Sequence, residues 1–241
     1  KYESEVPKFY FLYRKRRYNE KQGKYLGWER KRGMITPFNR FLIYQEQGDF
    51  YATNLDVKKL GNVKYVLTID ADTQVGINNV SKLIGIMAHP LNTPIMNEDM
   101  TAVKSGYGIL QTRISTSIKC ANENIFSTLW AGYGGIDNYT NAVSDVYQDV
   151  WQEGIFTGKG IYDVKVFSQI LDNQIPENTV LSHDLLEGSF LRCGLVTNVE
   201  FVDGYPSRFN SYVVRQNRWL RGDIQVFRWC REKIHLNGKK V

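Results

Sequence analysis

Cysteine is scarce in this 241-residue chain and arranged for neither of its usual structural uses. Cys120, Cys193 and Cys230 stand far apart with no Cys-x-x-Cys spacing. That argues against a zinc site and predicts free thiols in a reducing compartment. Long apolar runs are missing as well: none approaches the roughly 18 residues of a membrane span, and Lys1-Tyr2-Glu3-Ser4 does not read as a signal peptide. There is no initiator methionine, so the expectation is a piece of a longer protein. The Gly158-Lys159-Gly160 stretch lacks the G-x-x-x-x-G-K-[ST] spacing of a phosphate loop. No RRM, KH or helix-turn-helix signature accompanies the basic residues, and no nucleic-acid partner is expected.

What is present is a globular α/β composition: 42% hydrophobic, 23% charged and 13% aromatic residues, on a chain long enough to bury a full core as one domain. The net charge of +6 points to an anionic partner such as a nucleotide phosphate. Around one stretch the rest is organised. Tyr65-Val66-Leu67-Thr68-Ile69 reads as a short buried strand and stops at Asp70-Ala71-Asp72. Carboxylates two residues apart at a strand end point roughly the same way. Such a pair suits Mg²⁺ or Mn²⁺, which takes one or two protein oxygens and shares the rest with substrate phosphates. Helix capping is the other reading of Asp70 and Asp72, since a helix is expected over Asn78 to His89.

Further along, Phe9 to Tyr13 reads as a strand running into Arg14-Lys15-Arg16-Arg17. A second basic cluster, Glu29-Arg30-Lys31-Arg32-Gly33, precedes a helix expected to start with Thr36 as its cap and Pro37 at its first position. There Lys31 and Gly33 could present an ammonium and backbone N–H groups to a phosphate. Ala102 to Lys104 and Tyr107 to Ser115 have hairpin or strand character, and helix and loop are expected from Thr116 to Val150. The glycines on either side of Lys159 fit either a tight turn before a helix over Val164 to Leu171 or a close approach of its ammonium to a ligand. Leu185, Leu186, Phe190 and Leu191 recur at helical spacing, which sets His183, Asp184 and Glu187 near that helix's start. They can cap it, yet an inverting transfer also needs an acid remote from the metal pair to take the proton of the attacking hydroxyl. Last, Arg215, Arg218 and Arg221 follow one another at i, i+3 spacing with Trp219 and Trp229 on one expected helix.

Asp70-Ala71-Asp72, His183-Asp184 and Arg218-Trp219, in that order, resemble the D-x-D, [TE]-D and Q-x-x-R-W series of family 2-like GT-A glycosyltransferases such as cellulose and hyaluronan synthases. Four longer blocks, Gly27 to Gly33, Ile69 to Gln74, Phe156 to Asp163 and Leu181 to Gly188, are similar to those of the family 84 glycosyltransferase domain of cyclic β-1,2-glucan synthases. One departure stands out: where the wider superfamily has Gln three places before Arg-Trp, this chain has Arg215, and its Gln is Gln216.

The resemblance implies an α/β, Rossmann-like GT-A fold with a mixed central sheet over residues 1–241, lacking the first strands that hold the uracil. It implies metal-dependent, inverting transfer of glucose from UDP-glucose to the 2-hydroxyl of a growing β-1,2-glucan. In that scheme Asp72, helped by Asp70, would hold Mg²⁺ or Mn²⁺ on the diphosphate. Lys31 would add positive charge there, and Arg218 would stabilise the departing group. Asp184 would be the base, and Trp219, Lys159 and Gln216 would meet the acceptor glucan. Placement at the cytoplasmic face of a bacterial inner membrane is implied too, through flanking regions of a longer protein and an interfacial helix around Arg215 to Trp229. The competing readings are another processive polysaccharide synthase, a non-catalytic nucleotide-sugar or carbohydrate module, and a nucleic-acid-binding domain.

Overall fold

The computed structural model describes residues 9–45, 48, 50–56, 58, 60–131, 146–172, 174–181, 183–230, 235–236 and 239–240. Ser182 of the Leu181 to Gly188 block and residues 132–145 of the expected helix-and-loop middle lie outside them. The chain divides into two compact units, Lys1–Lys64 with Pro176–Asn178, and Tyr65–Ile175 with Thr179–Val241.

The first unit contains β1 (Leu12–Arg14), β2 (Arg17–Asn19), β3 (Lys24–Leu26), α1 (Arg32–Tyr44) and β4 (Phe50–Thr53). β1 pairs with β4 and β2 with β3, both antiparallel. Phe41, Phe50 and Leu55 form its apolar centre, flanked by Leu12, Met34 and Phe38. α1 begins five residues before the expected start and carries Pro37 inside it. The reason lies in the preceding turn. Arg14 donates to the carbonyls of Trp28, at 2.7 Å, and Arg30, which holds Glu29 and Arg30 at φ of 48° and 51°. Gly33 then donates to the Glu29 carbonyl at 3.1 Å, and Met34 and Ile35 to that of Lys31. Glycine is required at 33 because a Cβ would sit 1.8 Å from the Trp28 carbonyl oxygen. These amides are engaged in the turn itself, so the expected N–H contribution of Gly33 to a phosphate is replaced by a bond to Glu29.

In the second unit the elements in order are β5 (Tyr65–Thr68), β6 (Gln74–Val75), α2 (Asn79–Met87), β7 (Ile95–Met96), β8 (Val103–Ser105), β9 (Ile109–Thr116), α3 (Ile118–Ala121), α4 (Ile125–Trp130), α5 (Val146–Trp151), β10 (Gly160–Asp163), α6 (Val164–Leu171), α7 (Asp184–Leu191), β11 (Cys193–Asp203) and α8 (Phe209–Val226). Five strands make one mixed sheet in the order β5, β10, β9, β11, β6. β9 and β11 are parallel, β10 runs antiparallel to both β5 and β9, and β6 antiparallel to β11. β8 pairs with β7, so the hairpin character expected of Ala102 to Ser115 resolves into two strands with different partners.

Alternation along the strands sorts the sheet's two faces. Leu110, Ile114, Ile161 and Phe201 pack with Leu83 and Met87 of α2, whose i, i+4 spacing gives that helix one buried stripe. Full burial of each such side chain stabilises by roughly 1.5–3 kcal/mol. Tyr162, the neighbour of Ile161, instead stacks on Phe167 of α6 with ring centroids 4.5 Å apart. α6 spans the expected Val164 to Leu171, because the Asp163 carboxylate accepts from the amides of Lys165 and Val166 at 3.0 and 3.1 Å. Among the described residues, this mixed α/β architecture with its five-stranded central sheet is of the Rossmann-like GT-A kind with fewer strands.

Candidate active site

Ligands of open α/β sheets collect outside the carboxyl ends of the parallel strands. Here that edge carries Asp70 and Asp72 after β5 and Asp203 at the end of β11. Neither Asp70 nor Asp72 caps a helix: the residue ahead of α2 is Asn78, and a turn and β6 lie between. The turn closes locally, with Thr73 N–H donating to the Asp70 carbonyl at 3.1 Å. Asp72 is exposed and lies close over Gly204, where a Cβ would be 3.2 Å from its Oδ2.

Antiparallel pairing delivers a cation to the same place. Gly160 is opposite Thr68, so Lys159, one residue earlier, stands beside the end of β5. Its Nζ lies 2.5 Å from Asp203 Oδ2 and 3.3 Å from Asp70 Oδ2. Asp203 is buried and also accepts from the Thr73 hydroxyl at 2.7 Å. The Lys159 loop is braced from both sides. Buried Gln111 accepts from the amide and hydroxyl of Thr157, and the Thr68 hydroxyl donates to the carbonyls of Gly158 and Gly160. Burial pulls the Lys159 pKa down, but the hydrogen bond and charge of Asp203, with Asp70 beside it, outweigh that and hold the ammonium above the ordinary lysine value. The Lys159 ammonium pairs with the chain's own carboxylates, and β10 intervenes between this loop and α6.

Beyond Gly204, Tyr205 faces α8. The Arg215 guanidinium lies 5.2, 6.0 and 4.8 Å from the ring centroids of Tyr205, Tyr212 and Trp219. Burial lowers the Arg215 pKa, while charges that include Asp72 act in the opposite direction. Trp219 therefore presents one ring face to Arg215; Gln216 is half-buried and Arg218 exposed. Asp184 is the first residue of α7, half-buried, with His183 before it. His183 Nδ1 and the buried Glu187 Oε1 lie 2.9 Å apart in a hydrogen bond one helical turn long.

The structure thus joins Asp70 directly to Lys159 and sets Arg215 within the field of Asp72. The segment leading into α7 is bonded to α8. Gln225 accepts from the Leu181 amide just ahead of α7 at 2.8 Å, and ten residues separate it from Arg215, about 15 Å along the helix. Lys31 belongs to the first unit, at the residue preceding α1. Asp203, Tyr205 and Arg215 were not singled out as site residues from sequence. The one available signal for Asp203 was its position at the end of a second apolar strand, as with Asp70.

Among the described residues no three His, Cys, Asp or Glu side chains group to hold a metal by themselves. Asp72 and Asp70 offer oxygen donors of the kind that a hard divalent ion takes together with water and phosphate oxygens, and one oxygen of Asp70 already pairs with Lys159 at 3.3 Å. No helix of the described residues is long and apolar enough to cross a membrane.

No protein-family model matches the chain. Compared with curated proteins, it is 43% identical over 220 residues to the cyclic beta-(1,2)-glucan synthase NdvB of Rhizobium meliloti (strain 1021). The match takes in 91% of this chain and 8% of that protein's length. By sequence, then, this is a cyclic glucan synthase-related domain.

Proposed function

We propose that the chain is the sugar-transferring part of an inverting glucosyltransferase, moving glucose from UDP-glucose to the 2-hydroxyl of a growing β-1,2-glucan. The observation that carries it is the 43% identity to a cyclic beta-(1,2)-glucan synthase, which the carboxylates and cations gathered at the carboxyl ends of the parallel strands support.

In this reading Asp72, with Asp70, holds Mg²⁺ or Mn²⁺, which when bound supplies positive charge to the diphosphate. Lys159 orients Asp70 through its ion pair, and its ammonium, with Gln216, borders the acceptor side. Asp184 accepts the proton of the acceptor 2-hydroxyl as that oxygen attacks the anomeric carbon, so an α-linked donor yields a β-linked product. Glu187 fixes His183 beside it. Arg218 balances charge developing on the leaving UDP, and Trp219 offers the ring face turned away from Arg215 to the C–H-bearing face of an acceptor glucose. Apolar side chains left exposed on α8, among them Val214, Leu220 and Ile224, support placement of this helix against the cytoplasmic face of a bacterial inner membrane.

The test is to incubate the intact protein with UDP-glucose and Mn²⁺ and determine the linkage of the glucan. The expected product is β-1,2-linked. Asp184→Asn is expected to lower transfer by about 10²–10⁴-fold and leave UDP affinity within about twofold. A 1,3- or 1,4-linked product overturns the acceptor assignment, and near-normal transfer by the Asn variant overturns the base.

A further inference from the structure

Three arginines each pair with a carboxylate of their own: Arg32 with Glu29, Arg113 with Glu200, Arg192 with Glu153. Arg215 differs. Its guanidinium is held by the rings of Tyr205, Tyr212 and Trp219. Its Nε and Nη2 are shut off from solvent without a hydrogen-bond partner, and no carboxylate among the described residues lies within ion-pair distance. Aromatic faces retain a cation through the ring quadrupole without neutralising it. A carboxylate in the same role would compete with any anionic ligand, whereas three rings leave the charge available.

Location adds the second observation. Tyr205 follows Gly204, the residue over which the Asp72 carboxylate lies, so the cage begins one residue from the metal-binding candidate. A half-buried guanidinium with two nitrogens short of acceptors, next to a carboxylate that would hold a metal-bound diphosphate, matches one ligand chemistry. A diphosphate oxygen supplies the acceptor that Arg215 lacks, in a charge-assisted bond.

We propose that Arg215 is a binding residue for the distal phosphate of a nucleoside diphosphate at Asp72, and that Tyr205, Tyr212 and Trp219 form a cage holding this cation without a counter-ion. The inference rests on the donor reading above and assigns a function to the position where the Q-x-x-R-W pattern is broken. The cage also ties Trp219 to the donor, because the ring that would meet an acceptor sugar is the ring that restrains Arg215.

The experiment titrates the intact protein with UDP, UMP and uridine in Mn²⁺ by calorimetry, comparing wild type with Arg215→Gln and Arg215→Lys. Loss of one charge-assisted contact is expected to weaken UDP binding by about tenfold or more in the Gln variant. UMP should weaken less, and uridine should stay within about twofold, which also reports an intact pocket. The Lys variant should fall between, since it keeps the charge and loses the planar stack. UDP affinity within about twofold of wild type in Arg215→Gln overturns the inference. So does a parallel fall in UDP and uridine, the mark of a merely structural residue. Wild-type protein that binds none of the three overturns the donor reading itself.

Discussion

Replacing Lys159 by Met removes a charge at nearly constant length and leaves its partners behind. Asp203, with only 9% of its side chain accessible, keeps the Thr73 hydroxyl as its donor and loses its counter-ion. Asp70 is 44% accessible, so water takes over its share of the loss. Stripping one partner from a buried pair costs about 3–5 kcal/mol, and the accessibility of Asp70 places this case near the lower end, about 3 kcal/mol. With a urea slope of about 2–3 kcal/mol per molar, the unfolding midpoint should fall by about 1–1.5 M, read by far-ultraviolet circular dichroism. Adding Asp203→Asn removes the orphaned charge, so the double variant should regain at least about half of the loss.

The pH dependence follows from the raised Lys159 pKa. A cation whose folded-state pKa exceeds its unfolded value contributes its full stability below the unfolded value, about 10.4, and loses it as the pH rises through the folded value. The gap between wild type and Lys159→Met should therefore stay constant from about pH 6 to 9 and narrow only above about pH 10.5. A midpoint shift under about 0.3 M, or a double variant whose loss equals the sum of the single losses, would refute the claim that Asp203 depends on this ammonium.

Two further outcomes are expected. Gly204→Ala places a Cβ 3.2 Å from Asp72 Oδ2, and the flexible carboxylate can yield by a few tenths of an ångström. Stability should change by less than about 1 kcal/mol, while Mn²⁺-dependent UDP binding weakens several-fold in calorimetry; unchanged binding would show that Asp72 is not a ligand. Among the thiols, burial pushes the Cys193 pKa far up, whereas Cys230 is exposed and Cys120 half-buried. Iodoacetamide followed by mass spectrometry should find Cys230 alkylated first and Cys193 only after unfolding, and native labelling of Cys193 would contradict its burial.

Some of this was legible in local order. A β-rich run ending in two aspartates yields β5 with a carboxylate pair beyond it, because alternation and strand termination act over a few residues. α6 was readable from the sequence, and its expected span of Val164 to Leu171 held. The start of α1 was not. Thr36-Pro37 is a fair helix opening by local rules, but Arg14, from another strand, bonds the carbonyls of Trp28 and Arg30 and lets the helix begin at Arg32. A side chain sixteen residues from its target leaves no mark in the segment that it organises.

The amino-acid order alone carried the class of fold, the carboxylate pair, the acid opening α7 and the basic aromatic helix, since each is set by neighbours along the chain. Folding settled which cations those acids meet. Lys159 reaches Asp70 and Asp203 because β10 runs antiparallel to β5 in a register pairing Gly160 with Thr68, and Arg215 comes within the field of Asp72 because β11 ends at Asp203, two residues before the Tyr205 ring that faces Arg215 of α8. Pairings across more than forty residues are chosen by strand register and helix packing, and those depend on burying the whole core at once.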